Sequence, residues 1–398
     1  MTQARNETKQ LIIECGVAQT RAALIKNDRI EKFWFGPARG DEHLDQTPRA
    51  GRRYIGRVKS ISSSLNAAFV DLGDGRDAYL ALNKKIEPHI CDGALIGAAV
   101  KSPPRQDKGA VVKYRSDIDL ERDTPGRCPP FADAAMDAVT MIGGGSGMIL
   151  TDDGAAAALL KSKDAKTDIR HEAHASALFE SFGAEQALEE AFDRCAPLEG
   201  GGRLIIDEAQ AVTAIDVDTA GLTASSPERL REKIALSAAC EAAHQIILRN
   251  LGGHIVIDFP ALKGDASRKR FNENLRIAMS TIDGAGAFSF SKSGLFSMTV
   301  PHHMQSLMER FTEDSGEYPA PGRRFTVDWQ AQSAIRKLEH HLRAAPAARF
   351  LLRLGEALDA YISDRGEWLE RLRDRFGARF DLVADEIMME RSFELSEQ

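Results

Sequence analysis

The chain reads as a multidomain protein of mixed α+β and α/β class, with a small OB-type β-barrel toward its N-terminal side. Three observations predict this. Residues 51–115 hold five short apolar runs separated by turn formers, the pattern of a small closed barrel. Residues 212–259 read strand, helix, strand, which makes a parallel crossover unit. A length of 398 residues allows roughly two to three domains.

In chain order, Leu11-Ile12-Ile13 and Arg21–Ile25 read as strands, with Asn27-Asp28 as a hairpin turn. Residues 36–51 are polar and turn-rich and form a linker. In the barrel, Tyr54–Ile61 alternates apolar and polar residues, and strands follow at 67–72, 77–80, 98–101 and 110–114. Residues 139–150 suggest two apolar strands around the glycine turn Gly143–Gly147, and 171–195 have helical spacing. Strands at 203–207 and 212–218 precede a helix opened by Ser226-Pro227 and stopped near Leu251 by Gly252-Gly253. His254–Phe259 is the next strand and Phe288–Val300 a hairpin; residues 302–312 look helical. Beyond a boundary at 317–322 come two helical stretches within 328–375 and terminal strands at 379–384 and 389–395.

Composition narrows the function. Hydrophobic residues are 43% and charged residues 28%, ordinary globular values that exclude disorder throughout. A net charge of −7, from 52 basic and 59 acidic residues, excludes a wholly basic nucleic-acid binder but permits a local basic patch. No apolar run reaches the roughly 18 residues of a membrane span, and the polar start lacks the apolar stretch of a signal peptide. The five cysteines are scattered and never form Cys-x-x-Cys, which disfavours a disulfide framework or zinc knuckle and fits a reducing cytoplasm.

Two constellations carry chemistry. Asp216 and Asp218 sit near the end of one crossover strand, two apart and so on one face; Asp258 ends the other. The crossover places both strand ends on one sheet edge, so the three carboxylates can converge where α/β sheets bind ligands. Carboxylates gathered without His or Cys suit a hard cation such as Mg²⁺ and point to metal-assisted phosphoryl transfer. The plainer reading is that they cap loops or pair with arginine. On the barrel, Arg49, Arg52, Arg53, Arg57 and Lys59 form an acid-free basic run, Lys101 ends a strand, the loop Arg105–Gly109 with Lys108 adds charge at one mouth, and Tyr54, Phe69 and Tyr79 lie on neighbouring strands. Cations that track phosphates and rings that stack on bases are what single-stranded RNA binding needs. The plainer reading is that the rings fill the barrel core and the charges solvate one face.

Other candidates are weaker. His302-His303 and His340-His341 lack a glutamate at zincin spacing and are expected to face solvent. The glycine run Gly143–Gly147 has no Walker lysine after it and reads as a turn. Arg268-Lys269-Arg270 is a helix start within reach of a substrate phosphate or simply solvated, and Cys240 is expected to be a small packed residue.

With those motifs stated, the chain resembles the ribonuclease E/G family. Residues 51–82 (GRRYIGRVKSISSSLNAAFVDLGDGRDAYLAL) resemble its S1-like OB domain, residues 201–221 (GGRLIIDEAQAVTAIDVDTAG) its catalytic strand pair and residues 249–259 (RNLGGHIVIDF) its second catalytic segment. Residues from 348 onward are similar to its small C-terminal domain. The resemblance implies an OB barrel inserted in an RNase H-like and DNase I-like nuclease body with a small α/β C-terminal domain. The implied boundaries are 1–48, 49–115, 116–195, 196–318 and 319–398. It implies Mg²⁺-dependent endonucleolytic cleavage of single-stranded RNA, leaving 5′-phosphate ends, in RNA processing or decay. Asp216 and Asp258 map onto the metal-binding aspartates, Asp218 onto a position that is usually Asn, and Phe69 and Tyr79 onto the base-stacking rings. Arg57, Lys59, Lys101 and Lys108 are the expected RNA-contacting cations.

Three departures stand out. The Arg-Thr of the 5′-monophosphate sensor is replaced by Thr151-Asp152, so no 5′-end sensing is expected. Residues 154–179 are shorter than their counterpart. The zinc-linking Cys-x-x-Cys is absent, so any homodimer is expected to form without it. The alternative function is a single-stranded RNA-binding protein of the same ancestry that no longer cuts. A metal-dependent hydrolase acting on something other than nucleic acid leaves the basic barrel unexplained.

Overall fold

A computed structural model of the chain describes residues 8–398 apart from 87, 89, 106–107, 121–122, 173–176, 220–225, 292–293 and 316–321. The polar start, Gln106 and Asp107 of the barrel loop, Ala220 and Gly221 of the family-like motif, and most of the 317–322 boundary lie outside the described residues. The chain divides into two compact units, each assembled from separated segments. One holds Met1–Asp45, Phe131–Leu188 and Phe311–Gln398, the other Gln46–Pro130 and Glu189–Arg310.

The first segment is an antiparallel meander of β1 (Lys9–Cys15), β2 (Gln19–Lys26) and β3 (Arg29–Pro37). Asn27 and Asp28 both take positive φ, 51° and 61°, the type I′ geometry that matches strand twist in a two-residue hairpin.

The second segment is the barrel. It comprises β4 (Arg53–Ser62), β5 (Ala67–Asp71), β6 (Asp77–Ala81), β7 (Leu95–Ser102) and β8 (Val111–Tyr114), joined at one edge by β9 (Gly126–Arg127). β4 pairs with both β5 and β7, β5 with β6, β7 with β8, and β6 runs parallel to β8. These pairings close a five-stranded OB-like barrel, which leaves no long open edge among these strands. Its core is built from Tyr54, Val58, Val70, Leu72, Leu80, Ile96 and Val112 among others. Gly109 is required where strands crowd, since a Cβ there would stand 1.9 Å from the Asp77 carbonyl oxygen.

The third segment runs α1 (Ala134–Ile142), β10 (Met148–Thr151), α2 (Gly154–Lys163), β11 (Asp168–His171), α3 (Leu178–Ser181) and α4 (Ala184–Phe192). It corrects the expectation of two apolar strands at 139–150. Only the second is a strand; residues 139–142 finish α1. The Asp133 carboxylate accepts from the Ala135 amide at 2.9 Å, and this N-cap with the following alanines nucleates a helix that overrides the short β-branched run. β10 and β11 add in parallel to β1, giving the sheet order β11-β10-β1-β2-β3.

The fourth segment holds β12 (Cys195–Pro197), β13 (Arg203–Glu208), β14 (Thr213–Asp218), α5 (Pro227–Leu248), β15 (Gly253–Asp258), α6 (Asp265–Met279), β16 (Gly286–Phe290) and β17 (Phe296–Val300). Its sheet has the order β12-β13-β14-β15-β17-β16, with β14 and β15 parallel as the crossover requires. Leu204, Ile206, Ile215, Val217, Ile255 and Ile257 are buried in one core with Ile234, Ala238 and Ala242 of α5 and Phe271 and Leu275 of α6. The alternate residues on the same strands are exposed or half-buried. The left-handed residue that ends α5 is Asn250 (φ 57°) rather than Gly252. Leu251 and Asn250 amides donate back to the Ile246 and Ile247 carbonyls, a Schellman cap. Cys240 is exposed on α5, which corrects its expected packing.

The last segment contains α7 (Leu307–Phe311), β18 (Thr312–Asp314), β19 (Arg323–Phe325), α8 (Val327–Ala344), β20 (Phe350–Leu354), α9 (Glu356–Ser363), α10 (Gly366–Phe376), β21 (Phe380–Ala384) and β22 (Phe393–Glu397). Its three-stranded sheet has the order β21-β20-β22. Val17 and Ala18, from the turn after β1, are buried in one core with Ile335, Leu338, Leu352 and Leu358, so these C-terminal residues complete the first unit.

Candidate active site

The two parallel strands β14 and β15 pair with Asp216 directly opposite Asp258. Register partners project from the same face of a sheet. Here it is the face opposite α5 and α6, because their strand neighbours Ile215, Val217 and Ile257 are in the helix-covered core. Both aspartates are exposed. Among the described residues, neither carboxylate has a hydrogen-bond or ion-pair partner.

The nearby acids differ. Asp207 on β13 is held by the Arg194 guanidinium, with oxygen contacts of 2.5 and 2.7 Å, and this pairing draws its carboxyl below the usual range. Asp218 accepts from Arg203 at 2.8 and 2.9 Å. The cause is register: Arg203 lies opposite Asp218 across the antiparallel β13–β14 pair. Among the described residues, no group of three or more His, Cys, Asp or Glu side chains is gathered so that it could hold a metal. The three-carboxylate convergence is therefore reduced to an adjacent pair, with the third acid turned to an arginine.

That pair has a definite chemistry. Like charges directly opposite on neighbouring strands destabilise a sheet, and no cation of the described protein offsets these two. Two carboxylates with open coordination space fit a hard divalent cation, since Mg²⁺ is usually held by one or two carboxylates plus water and substrate phosphate.

The barrel residues divide. Phe69 and Tyr79 are cross-strand partners on β5 and β6, both half-buried, with ring centroids 6.4 Å apart and edge to face. They form a partly open aromatic pair. Tyr54 is fully buried in the barrel core, its hydroxyl donating to the Gln46 and Thr47 carbonyls at 3.0 and 2.9 Å, so it is structural. Arg57 donates to the Gly93 and Asp123 carbonyls, and Lys59 pairs with Asp77 at 2.7 Å. Arg49 is buried. Lys101 and Lys108 are exposed.

Two histidines depart from the expected solvent-facing position. His302 is half-buried; its Nε2 lies 2.9 Å from an Arg105 guanidinium nitrogen, and Arg105 also donates to Glu309 at 3.2 Å. Burial and then the neighbouring cation lower its pKa to about 4, so the ring is neutral and Nε2 accepts. His340 lies 3.8 Å from the buried carboxylate of Glu14. His303 and His341 are exposed.

Asp152 accepts from the Cys15 amide at 2.7 Å and pairs with Arg343. Its carboxylate is 5% exposed, so it pins the first unit internally. Arg249, in the family-like segment, is 2% exposed and donates to Gln245 and to the Asp193 and Glu190 carbonyls. Sequence reasoning missed Arg203 as the neutraliser of Asp218. The signal was present: a hairpin between 203–208 and 213–218 pairs those two residues.

Comparison with known proteins places these strands in a family context. A model of the "Ribonuclease E/G family" matches residues 152–301. Ribonuclease G of Haemophilus influenzae is 28% identical over 194 residues, 46% of this chain and 38% of that protein. Ribonuclease G of Escherichia coli is 28% identical over 184 residues, 44% of this chain and 36% of that protein. Ribonuclease E of Escherichia coli is 37% identical over 128 residues, 30% of this chain and 12% of that protein. The matched region thus spans less than two fifths of these relatives. Residues 152–301, matched by the family model, contain Asp216, Asp218 and Asp258, and by these matches the chain is homologous to the ribonuclease E/G family.

Proposed function

We propose that the chain is an endoribonuclease of the E/G type, cleaving single-stranded RNA with Mg²⁺ and leaving 5′-phosphate ends. The supporting observation is the exposed, unneutralised, in-register pair Asp216–Asp258 within a segment homologous to that family. In this reading the two carboxylates hold the cation. Bound there, Mg²⁺ supplies a polarised phosphodiester oxygen and a bound water of lowered pKa. Asp218, tied to Arg203, orders the strand end beside them. Phe69 and Tyr79 stack on bases, and Lys101 and Lys108 meet phosphates, with Arg57 and Lys59 holding the barrel surface in shape. The body around the barrel is read as RNase H-like, DNase I-like and small C-terminal parts, on the boundaries given above.

Thr151 stands where the family has a phosphate-binding arginine, and the acid beside it, Asp152, is locked to Arg343, which supports cleavage without 5′-end sensing. Any homodimer forms without a Cys-x-x-Cys zinc link. Among the described residues no helix is long and apolar enough to cross a membrane, and five free cysteines fit a role in cytoplasmic RNA processing or decay.

A second reading is a single-stranded RNA-binding protein that no longer cuts. It is favoured by one observation, the Asp218–Arg203 ion pair at a position where the family usually has Asn. Labelled single-stranded RNA, incubated with Mg²⁺ or chelator, separates the two. Internal cuts by the wild type that vanish in Asp216→Asn and Asp258→Asn establish the nuclease. Shifted but intact RNA establishes the binder.

A further inference from the structure

The C-terminal end of β15 leads through residues 259–264 into α6, and α5 begins after the C-terminal end of β14. The starts of these helices and the intervening chain enclose an open cleft of about 230 Å³. Four cations line it, Arg229, Arg231, Lys263 and Arg270, against two acids, Glu228 and Glu232. Glu232 is already engaged: it accepts from Arg270 at 2.6 Å and from the Ser267 hydroxyl at 2.8 Å. Arg229, Arg231 and Lys263 have no ion-pair partner among the described residues, and all three are exposed.

A second observation points the same way. Neither helix start is capped by a side chain: Ser226 makes no cap hydrogen bond to α5, and α6 opens at Gly264. Helices of 22 and 15 residues therefore begin beside this cleft without a side-chain acceptor for their first amides among the described residues, and such ends favour anions. Uncompensated cations and uncapped helix starts sit together at the strand ends that carry Asp216 and Asp258.

We propose that this cleft binds a backbone phosphate of the RNA chain, with Arg229, Arg231 and Lys263 as its contacts. The site lies on the helix starts that follow β14 and β15, separate from the barrel, and holds the RNA strand beside the sheet edge at which Asp216 and Asp258 end. The proposal rests on RNA being the ligand, as above, but not on its being cut.

The test is the salt dependence of binding, read by anisotropy of a fluorescein-labelled oligouridine with the full chain in chelator. Each phosphate contact on single-stranded nucleic acid contributes about −0.7 to the slope of log K against log salt. The variant Arg229→Gln/Arg231→Gln/Lys263→Gln is expected to flatten that slope by about 0.7, the loss of one phosphate, while Arg229→Lys/Arg231→Lys keeps the wild-type slope. An unchanged slope overturns the site. So does an equal flattening from Arg268→Gln/Lys269→Gln/Arg276→Gln on α6, which would show a diffuse basic surface. A wild type that does not bind the RNA overturns both this site and the proposed function. A wild type that binds with the expected slopes yet never cuts removes only the nuclease reading.

Discussion

Asp216 and Asp258 concentrate the functional argument because they stand out from every neighbouring acid. Asp207 and Asp218 each have an arginine, whereas the in-register pair faces solvent uncompensated. A protein keeps such repulsion where it serves binding, and relieving it trades function for stability. Asp258→Asn is therefore expected to abolish cleavage and, in chelator, to stabilise the fold on the order of 0.5 kcal/mol. Mg²⁺ should raise the melting temperature of the wild type by mass action and leave the variant unmoved; scanning calorimetry with and without the ion reads both. Asp218 is different in kind. Its partner Arg203 is half exposed, and an ion pair of that sort contributes only about 0–1 kcal/mol. Asp218→Asn should leave stability nearly unchanged and cleavage at least as fast, since it removes a charge without touching the pair. A fall in turnover of tenfold or more would show that Asp218 takes part directly.

At the scale of elements, the barrel separates rings that look alike in sequence. Tyr54 is inside it and Phe69 and Tyr79 are on its surface, so the three should respond differently. Phe69→Ala or Tyr79→Ala is expected to weaken oligonucleotide binding by about 1–3 kcal/mol, the usual cost of a lost base stack, with an unchanged melting temperature. Tyr54→Ala should unfold the barrel instead. The loop between β7 and β8 is tied through Arg105 to His302 and Glu309, which gives the second unit a pH signature. His302 titrates near 4 when folded against about 6.5 when unfolded. Its contribution is thus complete above about pH 6.5, where both states are neutral, and is lost as the pH falls toward 4, because the unfolded chain takes up the proton first. An imidazole midpoint near 4 by NMR is the expected result; one above 6 would mean the Arg105 contact is not formed in solution.

At the scale of the whole molecule, the first unit is closed by buried charge as well as apolar packing. Arg21 is 1% exposed and pairs with Glu14, itself 6% exposed, at 2.7 Å. Although burial opposes its charge, the adjacent Arg21 and the nearby His340 hold the Glu14 carboxyl far below the usual range. Glu339, by contrast, is pushed up by burial despite Arg343 and Arg375. Removing one member of a buried pair strands the other, at a cost of roughly 3–5 kcal/mol. Glu14→Gln should cost that much by urea unfolding, and more than Glu339→Gln, since burial already pushes the Glu339 carboxyl toward its neutral form. Because the Glu14 pKa is depressed, its stabilising effect is present above about pH 4.5 and declines as the pH falls below that value.

Features encoded by adjacent residues were legible from the chain alone. The Asn27-Asp28 hairpin, the five barrel strands and the crossover with aspartates at its strand ends all rest on local periodicity and turn chemistry. The family-like motifs lie on those elements for the same reason. The strand expected at 139–142 failed because an N-cap at Asp133 and the alanines at 134, 135 and 138 outweighed the short Val139–Ile142 run. Other features depended on residues far apart in sequence: the exact opposition of Asp216 and Asp258, the capture of Asp218 by Arg203, the burial of Tyr54 but not Phe69, and the sealing of Val17 and Ala18 by helices more than three hundred residues away. Local pattern sets which face of an element is apolar. Which charge neutralises which, and which ring is left in water, is decided only when register and packing bring distant residues together. That is why the carboxylates could be named from sequence, while their division into one open pair and one closed ion pair could not.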